Sequence, residues 1–290
     1  MRLCILITGS NGQLGTDLKR VLQGHDVVAL GHQELDITDT ERVKTTLAAH
    51  RPDMVINTAA YHKVDECESY PEKTFAVNTL GPRNLASTCQ AMGIALTHIS
   101  TNFVFDGYAS RPYAEQDLPG PLSVYGASKL AGEHMVRATC TRHFLIRTAG
   151  LYGLAQQNGG GKGYNFIELM LKIGRERGRV TVVNDQIFSP TSTEDLAGAI
   201  AQLLMTQAYG TYHITNNGAC SYWDFARAIF HKAALDAQVE PISTEAYGAK
   251  ARRPLYSVLD NSRIQAIGLP PLRPWEEALE HYLYSRQASS

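Results

Sequence analysis

The chain has almost no net charge and no long apolar run. Among its 290 residues, 27 Lys and Arg oppose 28 Asp and Glu, which gives a formal net charge of −1. Such a balance gives no electrostatic attraction to nucleic acid or anionic membranes, so we expect neither as a partner. No stretch approaches the roughly 20 apolar residues that a membrane-spanning helix needs. The first apolar run, residues 3–7, is too short for a secretory signal.

Cysteines are few, scattered and odd in number: Cys4, Cys67, Cys89, Cys140 and Cys220. Neither these cysteines nor the ten histidines show the spacing of metal ligands. We therefore predict no metal site, and reduced thiols in a cytoplasmic protein.

Three glycines at three-residue spacing follow the first apolar run and precede a segment with helical character. Gly9 would permit a tight turn out of the strand, and Gly12 would let the backbone approach a pyrophosphate. Gly15 would let the helix pack closely on the sheet. The helix N-terminus then offers unpaired N–H groups and a positive dipole end to phosphates. This stretch predicts a dinucleotide site, although glycine-rich loops without any ligand are common.

Strands and helices alternate over residues 1–150, which is typical of a parallel sheet covered on both faces. The predicted fold class is α/β, with a Rossmann-like, doubly wound sheet. We assign residues 1–150 to a dinucleotide-binding domain and residues 151–290 mainly to a smaller α/β substrate domain. Segments near 185–215 are expected to return to the first domain. A predicted helix over residues 71–92 should end at Gly93.

Tyr125 and Lys129 are four residues apart on a predicted helix, so both lie on one face. An ordinary tyrosine, with a pKa near 10, is a poor acid or base at neutral pH. A nearby ammonium favours the phenolate and lowers that pKa. The pair can therefore form a general acid tuned by a lysine, or it can be an ordinary amphipathic helix.

Two hydroxyl residues, Ser100 and Thr101, end a predicted strand. Open α/β sheets place their ligand-contacting groups at this end of the strands. Either hydroxyl could hold a substrate carbonyl, and the alternative is a polar strand end that caps the next turn.

Together these signals resemble the extended short-chain dehydrogenase/reductases, and longer strings narrow the resemblance to the dTDP-4-dehydrorhamnose reductase family. The matching strings run in order over nearly the whole chain. They lie at residues 57–65, 98–107, 125–133, 147–148, 165–166, 185–191 and 253–260.

The resemblance implies a role for each matching position. The expected cofactor-binding residues are Gly9, Gly12, Gln13, Leu14, Gly15, Asp36, Ile37, Ala59, Ala60, Tyr61, Tyr125 and Lys129. The expected catalytic residues are Thr101, Tyr125 and Lys129, and the expected substrate contacts are Thr101, Asn102, Tyr125 and Arg253.

The implied reaction is reduction of the C4 keto group of a nucleotide-linked 4-keto-6-deoxy sugar by NADPH or NADH. The expected conversion is dTDP-4-dehydrorhamnose to dTDP-rhamnose. Tyr125 would donate the proton, Thr101 would hold the carbonyl oxygen, and Lys129 would bind ribose hydroxyls. Family membership also implies a homodimer. Some relatives bind Mg²⁺, for which the sequence shows no convincing ligand set.

Four departures from the family pattern lie near the expected sugar pocket. Asn102 and Phe103 replace an aspartate and a tyrosine, and Gly150 replaces a tryptophan that contacts the sugar. Phe188 stands where glycine is common, and residues 159–162 look like an insertion. These changes leave open a different nucleotide keto-sugar as the substrate.

Several readings stay open. The end of the second strand carries neither the acid typical of NAD binding nor the arginine typical of NADP binding, and Glu34 lies slightly further along. His32 could tolerate a 2′-phosphate, which favours NADPH. Arg253 could contact a pyrophosphate or belong to a basic surface turn. The glycine-dense residues 158–163 could be a surface tip or a flap over the substrate.

Two other functions compete with a reductase. A sugar-nucleotide dehydratase or epimerase would share the fold, but Asn102 and Phe103 cannot supply the acid–base pair that elimination needs. A non-catalytic regulatory subunit is the second alternative, because the beta subunit of methionine adenosyltransferase resembles this same family.

Overall fold

A computed structural model describes residues 2–155 and 165–288 of the chain. Its α-helices, in chain order, are α1 (Gln13–Val21), α2 (Thr40–His50), α3 (Val64–Cys67), α4 (Pro71–Phe75), α5 (Gly81–Met92), α6 (Val124–Thr139), α7 (Phe166–Arg177), α8 (Thr193–Leu204), α9 (Tyr222–Lys232), α10 (Thr244–Tyr247), α11 (Ser262–Ala266) and α12 (Trp275–Ala288). Within the described ranges, none of these helices is long and apolar enough to cross a membrane.

The strands are β1 (Cys4–Thr8), β2 (Asp26–Leu30), β3 (Met54–Asn57), β4 (Ala95–Thr101), β5 (His143–Thr148), β6 (Leu151–Tyr152), β7 (Arg179–Val183), β8 (Ile187–Phe188), β9 (Thr191–Ser192), β10 (Gly210–His213), β11 (Cys220–Ser221) and β12 (Gln238–Ile242).

The main sheet is six-stranded and parallel, in the order β10-β5-β4-β3-β1-β2. From β1 the chain first adds β2 on one side and then β3 on the other. The strand order therefore reverses between β1 and β3, which is where open α/β sheets bind their ligands. This topology confirms the predicted Rossmann-like fold.

Both faces of this sheet are buried, as successive side chains of β1 show. Ile5 and Ile7 join a core that α1 and α8 cover. Leu6 points the opposite way, into a core that α2, α5 and α6 cover. The near-continuous apolar run of β1 follows from this double burial.

A separate core lies between α7, α9 and α12, where Phe225 and Leu279 are buried. The chain enters this second part and later returns to the first. On its return, β10 pairs with β5 in the main sheet, and α8 packs on the core next to α1. The boundaries at residues 1–150 and 151–290 stay a prediction. Residues 158–163, with the predicted flap or surface tip, lie outside the described residues.

The long helix predicted over residues 71–92 is interrupted. A π-helical turn, Ala76–Leu80, separates α4 from α5. Asn78 is buried in this turn, and its amide contacts the backbone of Tyr61 and the hydroxyl of Ser128. The predicted end is confirmed, because Gly93 closes α5 with φ +68°.

Candidate active site

A cleft of about 340 Å³ opens at the carboxyl ends of β1, β3, β4 and β5. The predicted site residues among its lining are Gly12, Gln13, Leu14, Gly15, Ala60, Thr101, Asn102, Tyr125 and Lys129. Predicted residues that lie outside the lining are Gly9, Asp36, Ile37, Ala59, Tyr61 and Arg253.

The glycine turn is shaped by close backbone packing. Gly9 has φ +67°, and a Cβ there would lie 2.7 Å from the backbone nitrogen of Ala59. A Cβ at Gly15 would lie 2.7 Å from Cα of Ser10, so this glycine lets α1 pack on the turn itself. We had expected Gly15 to serve contact with the sheet. Ala59 thus belongs to the support of the turn.

Gly12 differs from Gly9 and Gly15 because a side chain at this position would have space around it. A Cβ there would meet only the carbonyl oxygen of Gly9, at 3.4 Å. Gly12 is also the N-cap of α1, and no side chain caps the helix. The first N–H groups of α1 therefore face the cleft without a side-chain acceptor, as binding of a pyrophosphate requires.

The other predicted residues outside the lining are committed to structural contacts. Asp36 accepts hydrogen bonds from the backbone and hydroxyl of Thr38, which hold the pKa of its carboxyl below the ordinary value against the effect of burial. Ile37 is buried against α5, where a Cβ at Gly81 would lie 2.6 Å from its side chain.

Tyr61 and Arg253 contact acidic groups outside the cleft lining. The Tyr61 hydroxyl donates to Glu66 at 2.8 Å, and this bond raises its pKa to about 12. Arg253 pairs with Asp65 through two hydrogen bonds of 2.8 and 3.2 Å. The Arg253 guanidinium is thus held next to α3, the short helix after β3 that contains Asp65.

An acidic side chain, that of Glu34, lies at the end of β2, although in the sequence this residue comes after the strand. The Glu34 carboxylate turns back and accepts a hydrogen bond from the Gly31 backbone at 2.9 Å. It therefore lies at the strand end, where an acid would hold a ribose 2′-hydroxyl.

Tyr125 lines the cleft and is half-buried there. Burial raises its pKa to about 12, and the nearby Thr101 hydroxyl only partly opposes the rise. We had expected Lys129 to lower this pKa. In the structure burial dominates, so Tyr125 keeps its proton at neutral pH.

A main-chain carbonyl of β4 fixes the position of the Lys129 amine. Its Nζ donates to the Ile99 carbonyl oxygen at 2.6 Å and lies 3.5 Å from Nε2 of His98. Burial lowers the pKa of this amine to about 8, and the Glu133 carboxylate opposes the change. The lysine is thus positioned by β4 and loses its charge at a lower pH than an ordinary lysine.

A chain of hydrogen bonds fixes which nitrogen of His98 carries its proton. Asn57 Oδ1 accepts from the Ala59 backbone at 3.1 Å and from Thr8 Oγ1 at 2.8 Å. Asn57 Nδ2 must then donate to His98 Nδ1, 3.0 Å away. Burial and Lys129 hold the pKa of His98 well below its ordinary value, so the ring is neutral. Its proton is on Nε2, facing Lys129.

A buried ion pair lies beneath the catalytic face of α6. Glu133 accepts two hydrogen bonds from Arg147, of 2.9 and 2.7 Å, and both side chains are almost fully buried. Ser100 donates to the same carboxylate at 2.5 Å. This contact decides between the two predicted hydroxyls, because Ser100 is committed to Glu133 while the Thr101 hydroxyl lies near enough to the Tyr125 phenol to affect its pKa.

The residues after Thr101 are structural. Asn102 donates from Nδ2 to Ser257 Oγ at 2.8 Å and accepts from the Thr101 hydroxyl at 3.1 Å. The Phe103 ring meets the Tyr125 ring edge to face, with centroids 5.9 Å apart. These contacts hold Thr101 and Tyr125, and neither residue offers a group that titrates.

On the far side of the cleft, two departures from the family pattern touch each other. A Cβ at Gly150 would lie 2.3 Å from the Phe188 ring, so Phe188 fills the room that a side chain at residue 150 needs. Phe188 stacks on Tyr222 at 4.0 Å between centroids, and Tyr222 lines the cleft.

Sequence reasoning missed several residues of the lining, including His62, Thr148, Thr193 and Tyr222. Thr148 could have been found, because it ends β5 beside Thr101 in register. Tyr222 follows the helix cap Ser221, which forms a capping box with Asp224. No local pattern connects Tyr222 to a cleft built mainly from residues before 152.

Comparisons with known proteins agree with this geometry. Residues 1–287 match the family model described as RmlD substrate binding domain. A dTDP-4-dehydrorhamnose reductase of Streptomyces griseus is 42% identical over 283 residues, covering 94% of this chain and 91% of the relative. A dTDP-4-keto-6-deoxy-D-glucose reductase of Streptomyces niveus is 38% identical over 278 residues, covering 94% of each.

A solved structure shares the whole architecture. The crystal structure of dTDP-4-dehydrorhamnose reductase from Bacillus anthracis str. Ames in complex with NADP superposes with a TM-score of 0.93. It is 39% identical, and the match covers 98% of this chain and 100% of that one. The chain therefore belongs to the RmlD substrate binding domain family, among relatives named as sugar-nucleotide reductases.

Proposed function

We propose that this protein reduces the C4 keto group of a nucleotide-linked 4-keto-6-deoxy sugar, using NADPH or NADH, and that dTDP-4-dehydrorhamnose is the substrate. The observation that carries the proposal is the meeting of Thr101, Tyr125 and Lys129 in one cleft beside the uncapped N-terminus of α1. The names of the relatives support the same substrate class.

The residues present fit a nicotinamide dinucleotide. The N–H groups of Gln13 and Leu14, the first of α1, would hold its pyrophosphate, and the Lys129 amine would donate to ribose hydroxyls. When bound, the nicotinamide supplies the hydride that adds to the carbonyl carbon. Glu34 at the end of β2 favours a free 2′-hydroxyl, so both NADH and NADPH belong in the assay.

Tyr125 supplies the proton in this mechanism. Its phenol is protonated at neutral pH because burial raises its pKa to about 12. As negative charge develops on the carbonyl oxygen, the phenol O–H breaks and the proton moves to that oxygen. The Thr101 hydroxyl, which donates to Asn102 Oδ1 at 3.1 Å, would turn to donate to the same oxygen.

The contacts of Asn102 and Phe103 favour reduction over elimination. A dehydratase needs an acid–base pair at this place, and Asn102 instead donates its amide to Ser257. A non-catalytic regulatory role is disfavoured because the proton donor and its partners share one accessible cleft.

The test is oxidation of reduced cofactor in the presence of dTDP-4-dehydrorhamnose or dTDP-4-keto-6-deoxyglucose, offered separately with NADPH or NADH. The proposal predicts oxidation that depends on the keto sugar. No oxidation with either sugar would contradict it. Oxidation with only dTDP-4-keto-6-deoxyglucose would replace the substrate while keeping the reaction.

Two further expectations belong to this proposal. A cytoplasmic location is supported by the cysteines, since all five are free. Homodimerisation stays a prediction from family membership, and sedimentation of the purified protein tests it.

A further inference from the structure

The shape of the cleft wall at Gly150 is set by Phe188, a residue distant in the sequence. Gly150 has φ +53°, and a Cβ there would lie 2.3 and 2.7 Å from two ring atoms of Phe188. Phe188 is itself 3% exposed, so its ring cannot easily move aside. The surface at residue 150 is therefore bare backbone, backed by an aromatic ring from β8.

Phe188 and Tyr222 are held together by a short ribbon. Phe188 pairs with Cys220 where β8 meets β11 antiparallel, and Tyr222 begins α9 two residues later. The two rings stack with centroids 4.0 Å apart and planes at 19°. Phe188 also meets Phe225 edge to face, so the stack is anchored in the second core. Tyr222 is thus presented in a fixed orientation.

A chain of contacts connects Tyr222 to the strand end that carries Thr101. Thr148 pairs in register with Thr101, and Gly150 follows two residues after Thr148. Tyr222 and Gly150 both line the cleft, together with Tyr125. Within residues 2–155 and 165–288, no hydrogen bond reaches the Tyr222 hydroxyl. An aromatic ring and an unpartnered phenol therefore face the same space as the proton donor.

We infer that Tyr222, supported by Phe188, is the specificity-determining residue that binds the hexose of the nucleotide sugar. Its ring offers an apolar face to the C–H groups of the sugar, and its hydroxyl offers a hydrogen bond to a sugar hydroxyl. This inference rests on the proposed function, since it names the sugar contact of the same cleft.

The experiment compares Tyr222→Ala and Tyr222→Phe with Tyr284→Ala, a control at a tyrosine that is 73% exposed on α12. We expect Tyr222→Ala to raise KM for the keto sugar about tenfold, and Tyr222→Phe to raise it about threefold. The Kd for NADPH should change less than about twofold, because Tyr222 lies on the sugar side. The control should match the unmodified protein in both values.

A KM within about twofold of the unmodified value for both Tyr222 variants would overturn the inference. If Tyr222→Ala does not fold, Tyr222→Phe decides alone, since it removes only one oxygen.

Binding separates this inference from the proposed function. The melting temperature of the unmodified protein is measured with dTDP-rhamnose, without turnover. If the protein reduces no keto sugar, the proposed function fails. The inference still stands when dTDP-rhamnose stabilises the unmodified protein and not Tyr222→Ala, and it fails when both are stabilised equally.

Discussion

The two sides of the cleft are built by different kinds of interaction. On the cofactor side, hydrogen bonds run from Thr8 through Asn57 to His98, whose ring lies next to Lys129. On the sugar side, shape is set by packing of the Phe188 ring against Gly150 and Tyr222. A polar chain tolerates few changes because each buried group needs its partner. Packing can be exchanged between positions when the total volume is kept.

This difference bears on two of the four departures that the sequence suggests, those at residues 150 and 188. Glycine at residue 150 and phenylalanine at residue 188 looked like two separate changes in the sequence. In the structure they are one exchange, because the ring at 188 occupies the space that a side chain at 150 would need. The chemistry of the cofactor side can therefore be retained while the sugar side changes shape.

The largest effect is expected from removal of the proton donor. Tyr125→Phe should lower kcat by about 100-fold or more, since general acid catalysis contributes about 10²–10⁴. The Kd for NADPH should stay unchanged. Tyr247→Phe, at a tyrosine 59% exposed on α10, is the matched control. Steady-state kinetics with titration of cofactor fluorescence measures both, and an active Tyr125→Phe enzyme would refute the assignment.

On the sugar side, Gly150→Ala should lower the free energy of unfolding by about 2–4 kcal/mol. About 1–2 kcal/mol comes from the left-handed backbone and the rest from overpacking against Phe188. Gly178→Ala is the matched control, because Gly178 has φ +66° with nothing within 4 Å of a Cβ. It should show only the backbone cost. Urea unfolding measures each variant.

The exchange itself is tested by adding Phe188→Ala. The double variant should be less destabilised than the sum of the single variants by about 1–2 kcal/mol, because removing the ring relieves the clash. Additive values would show that residues 150 and 188 do not share one space.

A smaller effect is expected on the cofactor side from Gly12→Ala. The Kd for NADPH should rise about tenfold, because a methyl group would intervene between the backbone and the pyrophosphate. The free energy of unfolding should change by less than about 0.5 kcal/mol, since the Cβ meets only open space and one oxygen. Gly24→Ala, with nothing within 4 Å, should change neither value. An unchanged Kd for NADPH in Gly12→Ala would show that the pyrophosphate does not bind at this turn.

The smallest effect is a dependence of cofactor affinity on pH. Burial lowers the pKa of Lys129 to about 8, so the ammonium is present below that pH and lost above it. Of the groups close to Lys129, the His98 ring is neutral, and the Glu133 carboxylate opposes the lowering of the Lys129 pKa. NADPH affinity should therefore fall a few-fold as pH rises through about 8, and Lys129→Gln should abolish the dependence. An equal fall in Lys129→Gln would assign it to another group.

Features with local spacing could be predicted from the sequence. The strand–glycine–helix turn and the Tyr125–Lys129 spacing need only neighbouring residues, and the structure brings both to one cleft. The choice between Ser100 and Thr101 needed Glu133, whose position depends on how α6 packs on β4. The proton position of His98 needed Asn57, on another strand.

The remaining features depend on contacts between distant residues. Burial overrides the expected effect of Lys129 on the pKa of Tyr125, and burial is a property of the whole fold. The return of Glu34 to Gly31 depends on a turn geometry that spacing alone did not show. Phe188 reaches Gly150 only because β8 and β11 form a ribbon beside the cleft.

The most direct test of the reductase assignment follows the hydride. The protein is incubated with dTDP-4-dehydrorhamnose and NADPH that carries deuterium at the transferred position, and the product is examined by NMR. The account predicts dTDP-rhamnose with deuterium on C4 and one cofactor oxidised for each sugar reduced. Deuterium at another carbon, or a changed sugar with no net oxidation of cofactor, would contradict it.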